Sequence, residues 1–193
     1  GGVGKSRLAQ AVARSALHSF ADGVWFVHLA PLETAESTGE RIALAIGAAV
    51  GYPITDLQSP LDELVHYLAD KEMLLVLDNW EHLLPAVEPV LYPLLTRTNV
   101  HILATSRARL GMDGEHTVRL EGLPPAEAAA LFIDRARRIV PAFGQQEKNA
   151  QKNDDRKNDG RKNDDQQQAI DHICRQVAGL PLGIELAASW VEH

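Results

Sequence analysis

The sequence predicts an α/β fold: a parallel sheet with helices on both faces, followed by a small all-α domain. Three observations predict it. Short apolar runs alternate with amphipathic helical segments over the first 120 or so residues, and strands alternating with helices build parallel sheets through crossover connections. The run Met73-Leu74-Leu75-Val76-Leu77 is continuously apolar, as suits a strand covered on both faces. After Pro124-Pro125 the sequence turns Ala- and Arg-rich and strand-like runs cease.

Each element follows from local pattern. From Lys5, the residues Leu8, Val12, Ala16 and Phe20 recur at helical spacing, with Ala9, Ala13 and Leu17 beside them. Ala21-Asp22-Gly23 breaks that helix, and residues 24–29 read as a buried strand ended by Pro31. Ile42, Ala45, Ile46, Ala49 and Val50 predict a second helix, stopped by Gly51 and Pro53. A third opens at Ser59-Pro60: Ser59 suits the cap and Pro60 the first helical position. Residues 73–77 form the next strand, closed by Asp78. A helical segment over about 83–95 is interrupted by Pro85, Pro89 and Pro93. Residues 100–106 read as a third strand and 116–120 as a short fourth.

The expected boundary lies near residue 122, giving domains 1–122 and 123–193. Residues 126–140 read as helix, and helical pattern resumes at Ile170. Between them, residues 145–168 are low in complexity, and residues 151–165 hold three copies of one pentad. That stretch has six acids and six bases and almost no apolar side chains. It offers nothing to offset its ordering entropy, so it reads as a disordered insert between helices.

Composition narrows the function classes. The chain has 193 residues, 45% hydrophobic and 23% charged, within the range of globular domains. Its net charge of −7 argues against direct nucleic-acid contact by this segment. A single cysteine, Cys174, excludes an internal disulfide and a multi-cysteine zinc site. It fits a cytoplasmic setting. No apolar run approaches the roughly 20 residues that span a bilayer, so no membrane partner is expected. Residue 1 is Gly and the chain opens inside a motif, so the sequence reads as a fragment.

That motif is Gly1-Gly2-Val3-Gly4-Lys5-Ser6. It matches the end of a phosphate-binding loop, G-x-x-x-x-G-K-[ST], and predicts a P-loop NTPase sheet. Glycines let backbone N–H groups curl around phosphate oxygens, and the following helix turns its positive end toward them. Lys5 would reach the β- and γ-phosphates, and the Ser6 hydroxyl would ligate Mg²⁺. Asp78, closing a buried strand, is where such proteins hold the same ion. Arg107 follows the third strand, at the sheet edge where ligands bind, and could meet a γ-phosphate bidentately. The eight histidines make no metal-ligand pattern, and His18, His82 and His116 read as surface or helix-face residues. Cys174, Trp25, Trp80 and Trp190 read as packing residues.

Four segments together resemble the STAND class of signalling ATPases, relatives of the NB-ARC domains of apoptotic and plant-resistance proteins. They are residues 1–9 (Gly-Gly-Val-Gly-Lys-Ser-Arg-Leu-Ala), 74–83 (Leu-Leu-Val-Leu-Asp-Asn-Trp-Glu-His-Leu), 104–107 (Ala-Thr-Ser-Arg) and 179–188 (Gly-Leu-Pro-Leu-Gly-Ile-Glu-Leu-Ala-Ala). The Asp-Asn-x-Glu-His-Leu wording is similar to the bacterial branch found in LuxR-type and SARP-type transcriptional regulators. The resemblance implies a switch that binds ATP or ADP with Mg²⁺. ADP would hold a closed state; ATP would permit self-association of the full-length protein. It carries nucleotide contacts onto Gly1, Gly2, Val3, Gly4, Lys5, Ser6, Arg7 and Pro181, and metal contacts onto Ser6 and Asp78. Arg107 matches the sensor arginine, and residues 123–193 match a helical lid. Asn79 stands where many relatives carry a second acid. Glu81, two residues on, is either the group that orients the attacking water or a surface or capping residue. Lys5, Arg107 and Glu81 are thus the catalytic candidates for slow ATP hydrolysis. A P-loop enzyme valued for its product, such as a kinase or motor ATPase, is the other class. The Gly179-Leu180-Pro181-Leu182 motif and the short linker after Arg107 favour the switch.

Overall fold

The computed structural model describes residues 1–32, 38–144 and 156–191. The chain forms two compact units: residues 5–118, and residues 119–193 together with 1–4.

The first unit is built on a three-stranded parallel sheet, in the order β1-β2-β3, among the described residues. The strands are β1 (Val24–His28), β2 (Leu74–Asp78) and β3 (His101–Ala104). All five residues of the central β2 are buried. Alternation along β2 divides the core between its faces. Leu75 and Leu77 join the larger cluster, whose helices are α2 (Thr38–Ala49), α3 (Pro60–Leu68) and α4 (Val87–Arg97). Leu74 and Val76 meet Ala9 of α1 (Lys5–Ser15) on the other face. In register, His28 pairs with Asp78 and Leu77 with Ala104, so His28, Asp78 and the residue after Ala104 end at one edge.

Local structure departs from expectation in instructive places. The small residues Ala9 and Ala13 of α1, and Ala16 just after it, pack with the sheet, with Phe20 beyond them. Leu8, Val12 and Leu17 are exposed. Alanine lets a helix axis approach a sheet more closely than leucine does, so the inner stripe is the small one. Pro60 does open α3, but the Ser59 side chain makes no capping bond. The preceding loop is anchored instead by Glu63, whose carboxylate accepts the Thr55 and Asp56 N–H groups and the Tyr52 hydroxyl. The proline-interrupted segment resolves into two single 3₁₀ turns, Trp80–His82 and Leu84–Ala86, and then α4. Pro89 falls in the first turn, where its missing N–H costs nothing, while Pro93 lies inside the helix. Residues 116–120, expected as a fourth strand, pair with no strand among the described residues. A β-prone run becomes a strand only where a ladder partner accepts it; here Thr117 and Val118 face solvent.

The second unit packs α5 (Pro125–Ile139), α6 (Arg156–Gln176) and α7 (Pro181–Ala188). Ala128, Phe132, Ala136, Ile170, Cys174 and Ile184 are core residues, which gives Cys174 the packing role expected of it. Arg135 bridges α5 and α7, its Nε 3.0 Å from Glu185 Oε1. Helix α6 starts at Arg156, well before Ile170, and takes in the later part of the low-complexity stretch. Once Ile170 and Cys174 anchor a helix, extending it adds one hydrogen bond per residue. Residues 145–155 lie outside the described residues.

Two glycines hold this unit's turns. Gly179 has φ of +66°, and a Cβ there would stand 3.0 Å from Leu123 N and run into Leu123 O. The same approach lets the Leu123 N–H donate to Gly179 O at 2.8 Å. Gly2 (φ +81°) accepts the Leu182 N–H on its carbonyl at 3.2 Å.

Candidate functional site

Asp78 closes β2 at 7% exposure, and three neighbours address its carboxylate. The Ser6 hydroxyl donates to Oδ1 at 2.7 Å, and the Thr105 hydroxyl donates to the same oxygen at 2.6 Å. Oδ2 lies 3.7 Å from Nδ1 of His28, across the register pair. The sequence folds this way because α1 begins at Lys5 against one face of β2 while β3 ends beside it in the sheet. Seventy-two residues separate Ser6 from Asp78 along the chain, yet their side chains touch.

Thr105 does more than meet Asp78. Its hydroxyl accepts the Asn79 N–H at 3.0 Å, its carbonyl accepts the Trp80 N–H at 2.9 Å, and its own N–H donates to Leu77 O. These bonds turn the chain sharply after β2. Asn79 takes the left-handed conformation (φ +70°), which asparagine tolerates better than most residues. His82 then ties the turn to the segment after β1: its Nε2 lies 2.7 Å from Leu32 O. A carbonyl only accepts, so Nε2 carries the proton and Nδ1 is left to accept from the Asn79 amide at 3.5 Å. His82, read from sequence as a surface or helix-face histidine, is part of the turn.

Glu81 and Arg107 meet at the same edge. Arg107 Nε lies 2.9 Å from Glu81 Oε1, with side chains 66% and 17% exposed respectively. Glu81 Oε2 is buried and has no hydrogen-bond partner among the described residues. Nε1 of the fully buried Trp80 has none among them either.

The structure therefore pairs Ser6 with Asp78 and Glu81 with Arg107. Lys5 opens α1 next to Ser6, and Arg7 is exposed in its first turn. Gly1, Gly2, Val3 and Gly4 belong to the helical unit, as does Pro181, the first residue of α7. Gly4 (φ +94°) is there close to Pro181, whose Cγ would lie 3.9 Å from a Cβ on it. Thr105 and His28 were not anticipated. The signal that could have found them is register: both stand at strand ends level with Asp78.

Among the described residues no three His, Cys, Asp or Glu side chains cluster as a metal cage. The donors beside each other here are a hydroxyl and a carboxylate. Such hard oxygens suit Mg²⁺, which takes one or two protein oxygens and completes its shell with water and phosphate. No helix among the described residues is long and apolar enough to cross a membrane.

No protein-family model matches the chain. It is similar to two proteins named "Putative HTH-type transcriptional regulator", Rv0890c of Mycobacterium tuberculosis and Mb0914c of Mycobacterium bovis. Each is 38% identical over 193 residues, covering 99% of this chain and 19% of the relative. It is also 34% identical over 190 residues to "Uncharacterized protein Rv0894" of Mycobacterium tuberculosis, covering 97% of this chain and 43% of that protein. The similarity thus runs through both units of this chain, while the chain spans only about a fifth of the length of the named regulators it matches.

Proposed function

We propose that this chain is the nucleotide-switch module of a larger transcription-regulating protein of the cytoplasm, binding ATP or ADP with Mg²⁺ and hydrolysing ATP slowly. One observation carries the reading: the 2.7 Å hydrogen bond between Ser6, which follows Gly-Lys at a helix start, and Asp78, which closes the central strand. A glycine-rich loop before a helix is common; a loop serine bonded to a strand-end aspartate is the arrangement phosphoryl-transfer proteins use. The resemblance to STAND-class ATPases supports the same reading, and the two regulator-named relatives support its transcription-regulating part alone.

In this reading Lys5 holds the β- and γ-phosphates as a point charge. Ser6 and Asp78 hold the ion, whose charge offsets that of the phosphates when it is bound. Thr105 fixes the Asp78 carboxylate by occupying Oδ1. Arg107 is the cation for the terminal phosphate. In the whole protein the ATP state favours self-association, and nucleic-acid contact is left to other parts.

Calorimetric titration with Mg²⁺-ADP tests the reading. The chain should bind, and Lys5→Ala should lose binding while its far-ultraviolet spectrum stays unchanged. Wild-type affinity in the alanine variant would show that Lys5 is not a phosphate ligand. Turnover completes the test: a switch runs far below the ~10 s⁻¹ typical of metabolic enzymes. Many turnovers per second would identify a P-loop enzyme valued for its product.

A further inference from the structure

We propose that Glu81 sets the choice between a nucleoside diphosphate and a nucleoside triphosphate, by competing with the terminal phosphate for Arg107. The inference deepens the nucleotide reading above and rests on it.

The geometry of the pair is lopsided. Glu81 is held in a 3₁₀ turn three residues after Asp78, and its side chain is 17% exposed. Arg107 is 66% exposed, so the guanidinium is the end with room to move. Both leave one edge of the sheet, because Thr105 binds Asp78 with its hydroxyl and the Trp80 N–H with its carbonyl. Glu81 Oε1 faces Arg107 Nε at 2.9 Å, and Oε2 is buried with no hydrogen-bond partner among the described residues.

That second oxygen gives the pair its consequence. A carboxylate largely out of water is costly unless a cation or hydrogen bonds compensate it. Among the described residues, Arg107 is the cation that Glu81 pairs with. An incoming anion that draws Arg107 away must offset the loss. A terminal phosphate can, because its oxygens match the guanidinium fork. A diphosphate lacks the group that Arg107 would grip and leaves the pair intact. Glu81 therefore stands in for the γ-phosphate in its absence and taxes triphosphate binding alone. This differs from a general base, whose loss slows turnover and leaves the relative affinity of the two nucleotides unchanged.

The test is a calorimetric cycle on the chain with Mg²⁺-ADP and the non-hydrolysable Mg²⁺-AMP-PNP. It compares wild type, Glu81→Gln, Arg107→Gln and the double variant. Glu81→Gln keeps the shape and drops the charge. It should tighten AMP-PNP about tenfold, the scale of one charge-assisted hydrogen bond, and move ADP by less than about twofold. Arg107→Gln should weaken AMP-PNP selectively, and Glu81→Gln should then have no effect in that background. A Glu81→Gln shift shared by both nucleotides, or none, overturns the competition. So does a full effect that persists without Arg107. Should Glu81→Gln fail to fold, Arg107→Gln decides, its side chain being largely in solvent: an unchanged ratio of the two affinities overturns the proposal. If wild type binds neither nucleotide, the nucleotide reading falls and this inference with it; if it binds both without the selective shifts, the competition alone fails.

Discussion

The hydroxyl of Thr105 makes two hydrogen bonds at once: it donates to Asp78 Oδ1 and accepts the Asn79 N–H. Valine has the same shape and can do neither, so Thr105→Val leaves the Asn79 N–H without its acceptor and Asp78 Oδ1 with the Ser6 hydroxyl alone. The orphaned N–H costs about 1–3 kcal/mol, and the lost hydrogen bond to the carboxylate adds a comparable amount. We expect a loss of roughly 2–4 kcal/mol in urea unfolding, with Thr105→Ser recovering most of it. A valine variant as stable as wild type would mean that the hydroxyl does not hold the edge. This residue also marks how far the sequence could be read. Ser6 and Asp78 were legible as neighbours, because one starts a helix after a glycine-rich loop and the other ends a buried strand, and parallel strands end together. Thr105 and His28 were not, because their roles depend on which residues stand level across the sheet. The Glu81–Arg107 pair was illegible for a similar reason: each residue was readable as a candidate, but their contact depends on the turn that Asn79 makes at φ +70°.

At the scale of elements, the turn between α6 and α7 is set by a close backbone approach. An alanine at Gly179 meets two penalties: the left-handed φ of +66°, and a methyl driven against the Leu123 backbone. The first alone costs about 1–2 kcal/mol. Gly144 isolates that part, since its φ is +64° but a Cβ there would meet only Arg137 Nη2 at an ordinary 3.7 Å. Gly179→Ala should therefore destabilise the helical unit clearly more than Gly144→Ala, by denaturant titration. Equal losses would mean that Leu123 and Gly179 can part at no cost. Elements were readable where one signal dominated. Strand β2 is a continuous apolar run and is buried throughout. Residues 116–120 carry a weaker, mixed β-prone pattern and pair with no strand among the described residues, because a strand needs a partner that no single segment can specify. The sequence names two adjacent stripes on α1 without ranking them, and close packing against a sheet rewards the one with the smaller side chains.

For the molecule as a whole, charge and burial predict where pH acts. Asp22, Glu63 and Glu115 all lie in the α/β unit, and each is held below its ordinary value of 3.8 (Asp) or 4.5 (Glu). The leading cause is in each case a backbone N–H: that of Glu72 for Asp22, Asp56 for Glu63 and Leu110 for Glu115. The Lys71 ammonium, 3.0 Å from Asp22, adds to the first. A carboxylate with a lowered folded value takes up its proton later on acidification than it does in the unfolded chain. Between the lowered and ordinary values the unfolded state binds more protons, so stability rises with pH there and is lost as pH falls through the lowered values. Cys174, in the helical unit, works at the other end. Burial raises its thiol above the ordinary 9.0, so its contribution is complete below that value and is lost as pH rises beyond it. Trp80 is fully buried among the core residues of the α/β unit and reports on that unit. In a Trp25→Phe, Trp190→Phe background, its urea midpoint should fall between about pH 5 and about pH 3, and Glu63→Gln should flatten that fall. A midpoint that is the same at both ends would mean that these backbone-held carboxylates contribute nothing to the acid limb, and that the loops they anchor are held by packing alone.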